Sequence, residues 1–286
     1  MFWFWLACAA PPADTDDTET VETDVADPRY DRTNWPSTVG GDRPASVVYP
    51  ADWDGTPLPL FILLHGYGAS GVVQDGYFGL SARADRGFAV VLPDGTLNRD
   101  GSRFWNATDF CCNFGGADID DVAYVTSLID EMEAKVAIDP ARVVLIGHSN
   151  GGFMSYRMAC DRPDRIAGIA SLAGTTWKDE SRCAGTTAVP VLHMHGTVDE
   201  TIFYDGAPEY PGAEDTVARW RARNGCADPV TDGPSFDFDR RVADAETTTS
   251  TQCDVTLWKM SGSTHIPALS DAWKDAIVDW ALAQRR

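Results

Sequence analysis

Gly147-His148-Ser149-Asn150-Gly151 is a G-x-S-x-G pattern. Glycines flanking a serine let a chain turn sharply from a strand into a helix, which presents the hydroxyl as a nucleophile. In a chain with 25 glycines the pattern alone says little, so its surroundings decide. The apolar run Arg142–Ile146 (RVVLI) precedes it, and the spacing predicts a helix from Gly152 to about Ala159 behind it. A serine nucleophile needs a base, and the base needs an orienting acid. The run Val189–Met194 exits through His195-Gly196-Thr197-Val198-Asp199, and Val255–Lys259 exits through Met260-Ser261-Gly262-Ser263-Thr264-His265. His265 is the only histidine after Asp199. We therefore read Ser149 as nucleophile, Asp199 as acid and His265 as base, with Glu200 and Asp205 as rivals for the acid.

Acyl transfer at such a serine needs two preorganised N–H donors for the oxyanion. The backbone amides of Asn150, next after the nucleophile, and Tyr67, in His65-Gly66-Tyr67-Gly68, are expected to supply them. Trp105, Tyr67 and Phe104 could stack on a sugar or an aromatic acid. Trp105, His65 and His148 are taken as candidate substrate contacts. His193 and His195 share one face of a strand, a conceivable metal pair without an evident third ligand. We expect His195 to support the Asp199 turn by hydrogen bonding. The chemistry calls for no metal and no organic cofactor.

These residues need strand ends to hold them. Strand candidates are Ala45–Tyr49, Leu58–Leu64, Phe88–Leu92, Arg142–Ile146, Ile166–Leu172, Val189–Met194 and Val255–Lys259. Helical spacing runs over Asp118–Val136, Asp215–Arg223 and Ala272–Ala283. Uniformly apolar strands alternating with helices predict an α/β fold, a mainly parallel central sheet with helices on both faces. Ligands of such sheets sit beyond the carboxyl ends of the strands, where the polar motifs fall. Asp228–Ser250 is polar and turn-rich and reads as a surface excursion.

The chain has 286 residues, a net charge of -20 and 44% hydrophobic residues, enough for one large core. So acidic a surface repels phosphate backbones and anionic membranes, which argues against nucleic-acid partners. No apolar run approaches the roughly 20 residues of a spanning helix. Residues 1–10 resemble a signal or lipoprotein leader, with Cys8 as the candidate lipidated residue and the only expected membrane tether. Residues 11–32, with seven acids and no Lys or Arg between Asp14 and Asp27, read as a solvated spacer. The catalytic domain is expected over residues 33–286, beginning near Thr33. Setting Cys8 aside leaves six cysteines and no CxxC, which reads as disulfides in an oxidising compartment. Spacing permits fifteen pairings. We favour Cys160–Cys183 and Cys226–Cys253, each closing a loop between adjacent elements. Cys111 and Cys112 form either a vicinal bridge or two separate contacts.

Taken together, LLHGYGAS, VVLPDG, WNATDFCCNFGGADIDDVAYV, LIGHSNGGFMSYRMAC, HMHGTVDETIFY and GSTH resemble the secreted polyhydroxybutyrate depolymerase and feruloyl esterase group of α/β-hydrolases, the carbohydrate esterase family 1-like set. The resemblance covers about residues 44–284. It implies the α/β-hydrolase fold, whose order Ser, Asp, His matches 149, 199, 265. It also implies the bridges Cys160–Cys183 and Cys226–Cys253, and places Trp105-Asn106 and Cys111-Cys112 near the site's mouth. In that group an aromatic and a Pro-Gly pair usually follow the catalytic histidine, whereas here Ile266-Pro267-Ala268 follow. Its polymer-degrading members tend to carry a polymer-binding domain, and none follows here, which lowers the expectation for crystalline polyester. The expectation is an extracytoplasmic serine carboxylesterase, secreted or a cell-surface or periplasmic lipoprotein. It would act as a monomer on small-molecule or polysaccharide-linked feruloyl or acetyl esters. Hydroxyalkanoate oligomers are the next substrate choice; a peptidase of the same fold and a non-catalytic surface binding protein are the rival readings.

Overall fold

The structure is a computed structural model that describes residues 27–185, 187–243 and 246–286. Cys8 and most of the acidic spacer lie outside the described residues. The strands are β1 (Thr38–Val39), β2 (Ala45–Val48), β3 (Leu58–Leu64), β4 (Ala89–Leu92), β5 (Thr96–Leu97), β6 (Arg103–Phe104), β7 (Ile138–His148), β8 (Gly168–Leu172), β9 (Val191–Gly196), β10 (Gly206–Ala207), β11 (Tyr210–Pro211), β12 (Thr231–Asp232), β13 (Thr247–Gln252) and β14 (Val255–Met260). The helices are α1 (Gly71–Phe78), α2 (Asp121–Lys135), α3 (Asn150–Asp161), α4 (Ala213–Arg223) and α5 (Asp271–Leu282).

Ten strands form one sheet in the order β1-β2-β4-β3-β7-β8-β9-β14-β13-β12. The pairs from β4 to β14 are all parallel, and both margins are antiparallel. Alternation of side chains along a strand explains the two cores. Leu60, Ile62 and Leu64 of β3 join one core with Val125 and Leu128 of α2, Phe153 of α3 and Val217 of α4. Phe61 and Leu63 join the other with Phe78 of α1 and Trp273 and Ile277 of α5. All seven residues of β3 are buried, as a strand covered on both faces requires.

The sequence reading needs three corrections. Residues 28–32, assigned to the spacer, form short helical turns that dock on the domain. There the Ala137 amide and the Trp35 indole N–H both donate to the Arg29 carbonyl. The Asp228–Ser250 excursion contains β12 and the start of β13, which extend the sheet beyond β14. Helix α1 was not foreseen, because GVVQDGYF has two glycines and little helical periodicity. Its ends carry the signals: Ser70 caps the N-terminus through the Val73 amide, and Gly79 ends it at φ 69°.

Disulfides join Cys111 to Cys112, Cys160 to Cys183 and Cys226 to Cys253. The second ties the last turn of α3 to the loop after β8, and the third ties the end of α4 to the β13–β14 turn.

Candidate active site

The parallel register places the carboxyl ends of the central strands side by side. Leu64 of β3 lies against Gly147 of β7, His148 against Leu172 of β8, and Gly196 of β9 against Met260 of β14. Ser149 sits at the turn from β7 into α3 with φ 52° and ψ -118°, a backbone that L-residues rarely adopt. Its amide donates to the Leu172 carbonyl at 2.8 Å. The flanking glycines are steric necessities. A Cβ at 147 would collide with the Gly151 carbonyl, and one at 151 with the Leu64 carbonyl. The first-turn amides of α3 lack intrahelical acceptors, so they and the helix dipole favour negative charge beside Ser149.

Asp199 follows β9 and His265 follows β14. His265 Nδ1 lies 2.8 Å from Asp199 Oδ2. That bond puts the proton on Nδ1 and leaves Nε2 as the free base. Asp199 Oδ1 accepts from the amides of Thr201 (2.8 Å) and Ile202 (2.9 Å). Burial opposes ionisation of this carboxyl, but the bonds and charges of His195 and His265 outweigh it and hold its pKa far below the usual range. Glu200 and Asp205, the rivals, are both exposed.

Behind Asp199 runs a buried polar line. Tyr156 Oη is 2.8 Å from His193 Nδ1, and His193 Nε2 is 3.3 Å from His195 Nδ1. His195 Nε2 is 2.8 Å from the Ile202 carbonyl and 3.3 Å from Asp199 Oδ2. A carbonyl can only accept, so His195 carries its proton on Nε2, and Nδ1 accepts from His193. His193 in turn accepts from the tyrosine hydroxyl. The tautomers agree along the line, and burial pushes the His193 pKa well down. His193 and His195 thus serve each other as hydrogen-bond partners.

The loop after β3 supplies the other side. Gly66 N–H donates to Gln74 Oε1 (3.2 Å), Gly68 N–H to the Arg103 carbonyl (2.8 Å) and Ala69 N–H to the Gly66 carbonyl (3.1 Å). Among the described residues, the Tyr67 amide donates to none. Gln74 was missed by sequence reading because it lies on the unforeseen α1.

Three expected substrate contacts are placed differently by the structure. Trp105 is fully buried and cannot stack on a ligand. Its indole N–H donates to the His65 carbonyl (3.0 Å), and its backbone pairs with the Asn150 side chain. His65 is fully buried too: its Nε2 accepts from Gly95 N–H (2.8 Å) and its Nδ1 reaches the Gly66 carbonyl (2.7 Å). Both residues brace the site from behind. Phe104 is buried in the same core. His148 does line the pocket, but its Nε2 donates to the His265 carbonyl at 3.0 Å. Burial, reinforced by the neighbouring His265, lowers its pKa to about 4.

The cavity over Ser149 has about 820 Å³ of empty space, including its open mouth. Ser149, His265 and His148 line it with Tyr67, Val73, Tyr77 and Ile266, so its walls are mainly apolar. Ile266, where the resembling group has an aromatic, forms one wall. No three His, Cys, Asp or Glu side chains gather as a metal site among the described residues. No described helix is long and apolar enough to cross a membrane.

A strand-turn-serine elbow on a mainly parallel sheet defines a class of protein. The chain belongs to the α/β-hydrolase fold family, whose model matches residues 59–227. It is similar to feruloyl esterase B of Piromyces equi, 29% identical over 198 residues that make up 64% of this chain and 36% of that protein. It is also similar to the bifunctional acetylxylan esterase/xylanase XynS20E of Neocallimastix patriciarum, 27% identical over 235 residues, 78% of this chain and 31% of that protein. The chain thus spans about a third of the length of either relative. Among solved structures, the acetyl xylan esterase from Aspergillus awamori matches with a TM-score of 0.65 at 15% identity, over 85% of this chain and 97% of that one, a likeness of fold.

Proposed function

We propose that this chain is a serine carboxylesterase with Ser149 as nucleophile, His265 as base and Asp199 as the orienting acid. The observation that carries the reading is the 2.8 Å contact between His265 Nδ1 and Asp199 Oδ2, with His265 in the same cavity as Ser149. His265 Nε2 takes the serine proton as the hydroxyl attacks the ester carbonyl. The amides of Tyr67 and Asn150 hold the oxyanion, aided by the α3 dipole. His265 then protonates the leaving alcohol, and water activated by the same imidazole releases the acid.

The substrate class we favour is a feruloyl or acetyl ester on a polysaccharide. The names of the relatives support it, as does an apolar cavity with two tyrosines in its walls. Short hydroxyalkanoate esters are the second choice. We further propose that the enzyme works outside the cytoplasm as a single folded domain behind the acidic spacer, with Cys8 lipidated. Three disulfides support an oxidising compartment. Mass spectrometry of the native N-terminus tests the tether, since an unmodified Met1 removes it.

The deciding experiment is initial rates on p-nitrophenyl acetate and butyrate, methyl ferulate and a hydroxybutyrate trimer, with Ser149→Ala as blank. We expect at least one ester to be cleaved and the variant to lose more than about 10³-fold. Equal inactivity of both proteins on the whole panel defeats the reading.

A further inference from the structure

The described residues leave ten large apolar side chains exposed, and eight of them stand on the face where Ser149 opens. Their places in the chain show it. Tyr67, Val72 and Val73 follow the carboxyl end of β3, Leu97 follows that of β4, and Ile266 follows that of β14. Val198 and Phe203 bracket the Asp199 turn after β9, and Phe114 meets Tyr67 with ring centroids 5.6 Å apart. The other two lie at the opposite end of the sheet. Tyr30 is beside the Arg29–Ala137 contact that precedes β7, and Val230 precedes β12, which pairs with β13 near the β13–β14 turn.

The eight are joined through shared spaces. Tyr67, Val73 and Ile266 line the Ser149 cavity, together with Thr201 from the segment between Val198 and Phe203. Leu97 and Phe114 line a neighbouring hollow, and the Tyr67–Phe114 contact links the two. Val72, beside Val73 on α1, is 64% exposed, and Phe114 is 71% exposed. Apolar side chains exposed one by one are ordinary. Eight around one mouth, each at least 40% exposed, leave on the order of several hundred Å² of apolar surface, as much as the largest patch of an ordinary monomer, and mark an interaction surface.

What covers such a ring must leave the cavity in use. A second copy or a docked protein would close the mouth over Ser149. An anionic surface is repelled by a net charge of -20. A dissolved ester inside the cavity reaches Tyr67, Val73 and Ile266 but leaves Val72, Leu97, Phe114 and Phe203 in water. An extended, uncharged, apolar surface that itself carries esters covers them all and feeds the cavity. We propose that this rim seats the protein on the face of an insoluble, densely acylated polysaccharide, whose acyl groups pack against the rim while one of them enters the cavity. The proposal rests on the esterase reading and gives the substrate of that reading its physical form, a solid face in place of a dissolved chain.

The test is depletion of the Ser149→Ala protein from solution by cellulose triacetate particles at neutral pH, with plain cellulose as control. No turnover is read, so a failure here is distinct from a failure of the esterase reading, which the ester panel decides. We expect saturable uptake on the acetate that persists at high salt, since salt does not screen apolar contact, and little uptake on cellulose. Val72→Ser/Leu97→Ser/Phe114→Ser in the same background should lower the partition coefficient at least about tenfold through lost apolar area. Val72→Ser alone, at an exposed position that leaves the fold intact, should lower it several-fold. Val230→Ser, at the opposite end of the sheet, should bind as the parent does. No uptake on the acetate, equal uptake on cellulose, or an equal loss in Val230→Ser and the triple variant overturns the proposal. Stronger uptake on phosphatidylcholine vesicles overturns it in favour of a membrane, and a dimer in sedimentation that the triple variant breaks overturns it in favour of a second copy.

Discussion

The side chain of Asn150 and the backbone of Trp105 pair at both ends. Trp105 N–H donates to Asn150 Oδ1 at 2.7 Å, and Asn150 Nδ2 donates to the Trp105 carbonyl at 3.0 Å. Asn150 thus bears two duties: its amide faces the proposed oxyanion, and its side chain bolts the first turn of α3 to the segment beside the Cys111–Cys112 bridge. Nδ2 also reaches Cys111 Sγ at 3.4 Å.

Asn150→Leu keeps the volume and the backbone amide but strands the buried Trp105 N–H, while the Trp105 carbonyl keeps the amides of Ala107 (3.0 Å) and Cys112 (3.3 Å). We expect a loss of about 1–3 kcal/mol from the one unsatisfied group, read as a lower urea midpoint. We also expect a fall in kcat of at least about tenfold with little change in KM, since the amide that meets the transition state loses its alignment. Wild-type stability in this variant would show the clasp to be ornamental.

Ser149 holds φ 52°, which costs a non-glycine residue about 1–3 kcal/mol. Ser149→Gly should therefore be inactive yet more stable than Ser149→Ala by about 1 kcal/mol, after the entropy that glycine gains in the unfolded chain. Urea titrations of the two variants compare them directly. Alanine matching glycine would mean that the elbow stores no strain.

Stability should fall with acid in a window set by the buried histidines. His148 has a folded pKa of about 4 against an ordinary 6.5. Above pH 6.5 it is neutral in both states and its stability term is fully present. As pH falls from 6.5 to 4 the unfolded chain binds a proton that the folded chain refuses, which costs about 3 kcal/mol by pH 4. His65 and His193 are shifted the same way by burial and add to the slope. Urea midpoints at pH 7, 5.5 and 4 should decline, and less steeply in His148→Asn. Asp199, whose pKa is depressed, withdraws its contribution only at lower pH, from about 3.9 downward.

The Cys160–Cys183 bridge closes a loop with a sequence separation of 23. Replacing both cysteines by serine should cost about 3 kcal/mol through loop entropy regained by the unfolded chain. Calorimetry should show this as a Tm drop, with esterase rates at 25 °C nearly unchanged because Ser149 lies at the other end of α3.

Much of the scaffold could be read from residue order. Leu58–Leu64 announces a buried strand by its unbroken apolar run, Val255–Lys259 reads as a further strand, and GHSNG, followed at a distance by Asp199 and His265, announces which side chains must meet. Local signals set these, because strand burial and a glycine-flanked turn are short-range requirements. What the residue order left open was orientation. Trp105 and His65 carry the chemistry of substrate contacts, yet the tertiary structure buries both, because the elbow needs hydrogen-bonded braces beneath it. Gln74 sits on a helix with weak periodicity, so only the packing of α1 against the loop after β3 brings its amide to Gly66. The ends of β9 and β14 are separated by more than sixty residues of sequence, and parallel pairing alone sets His265 against Asp199. Residue types determined which chemistry was available; burial and strand register, which depend on the whole chain folding at once, decided which groups face the cavity and which support it.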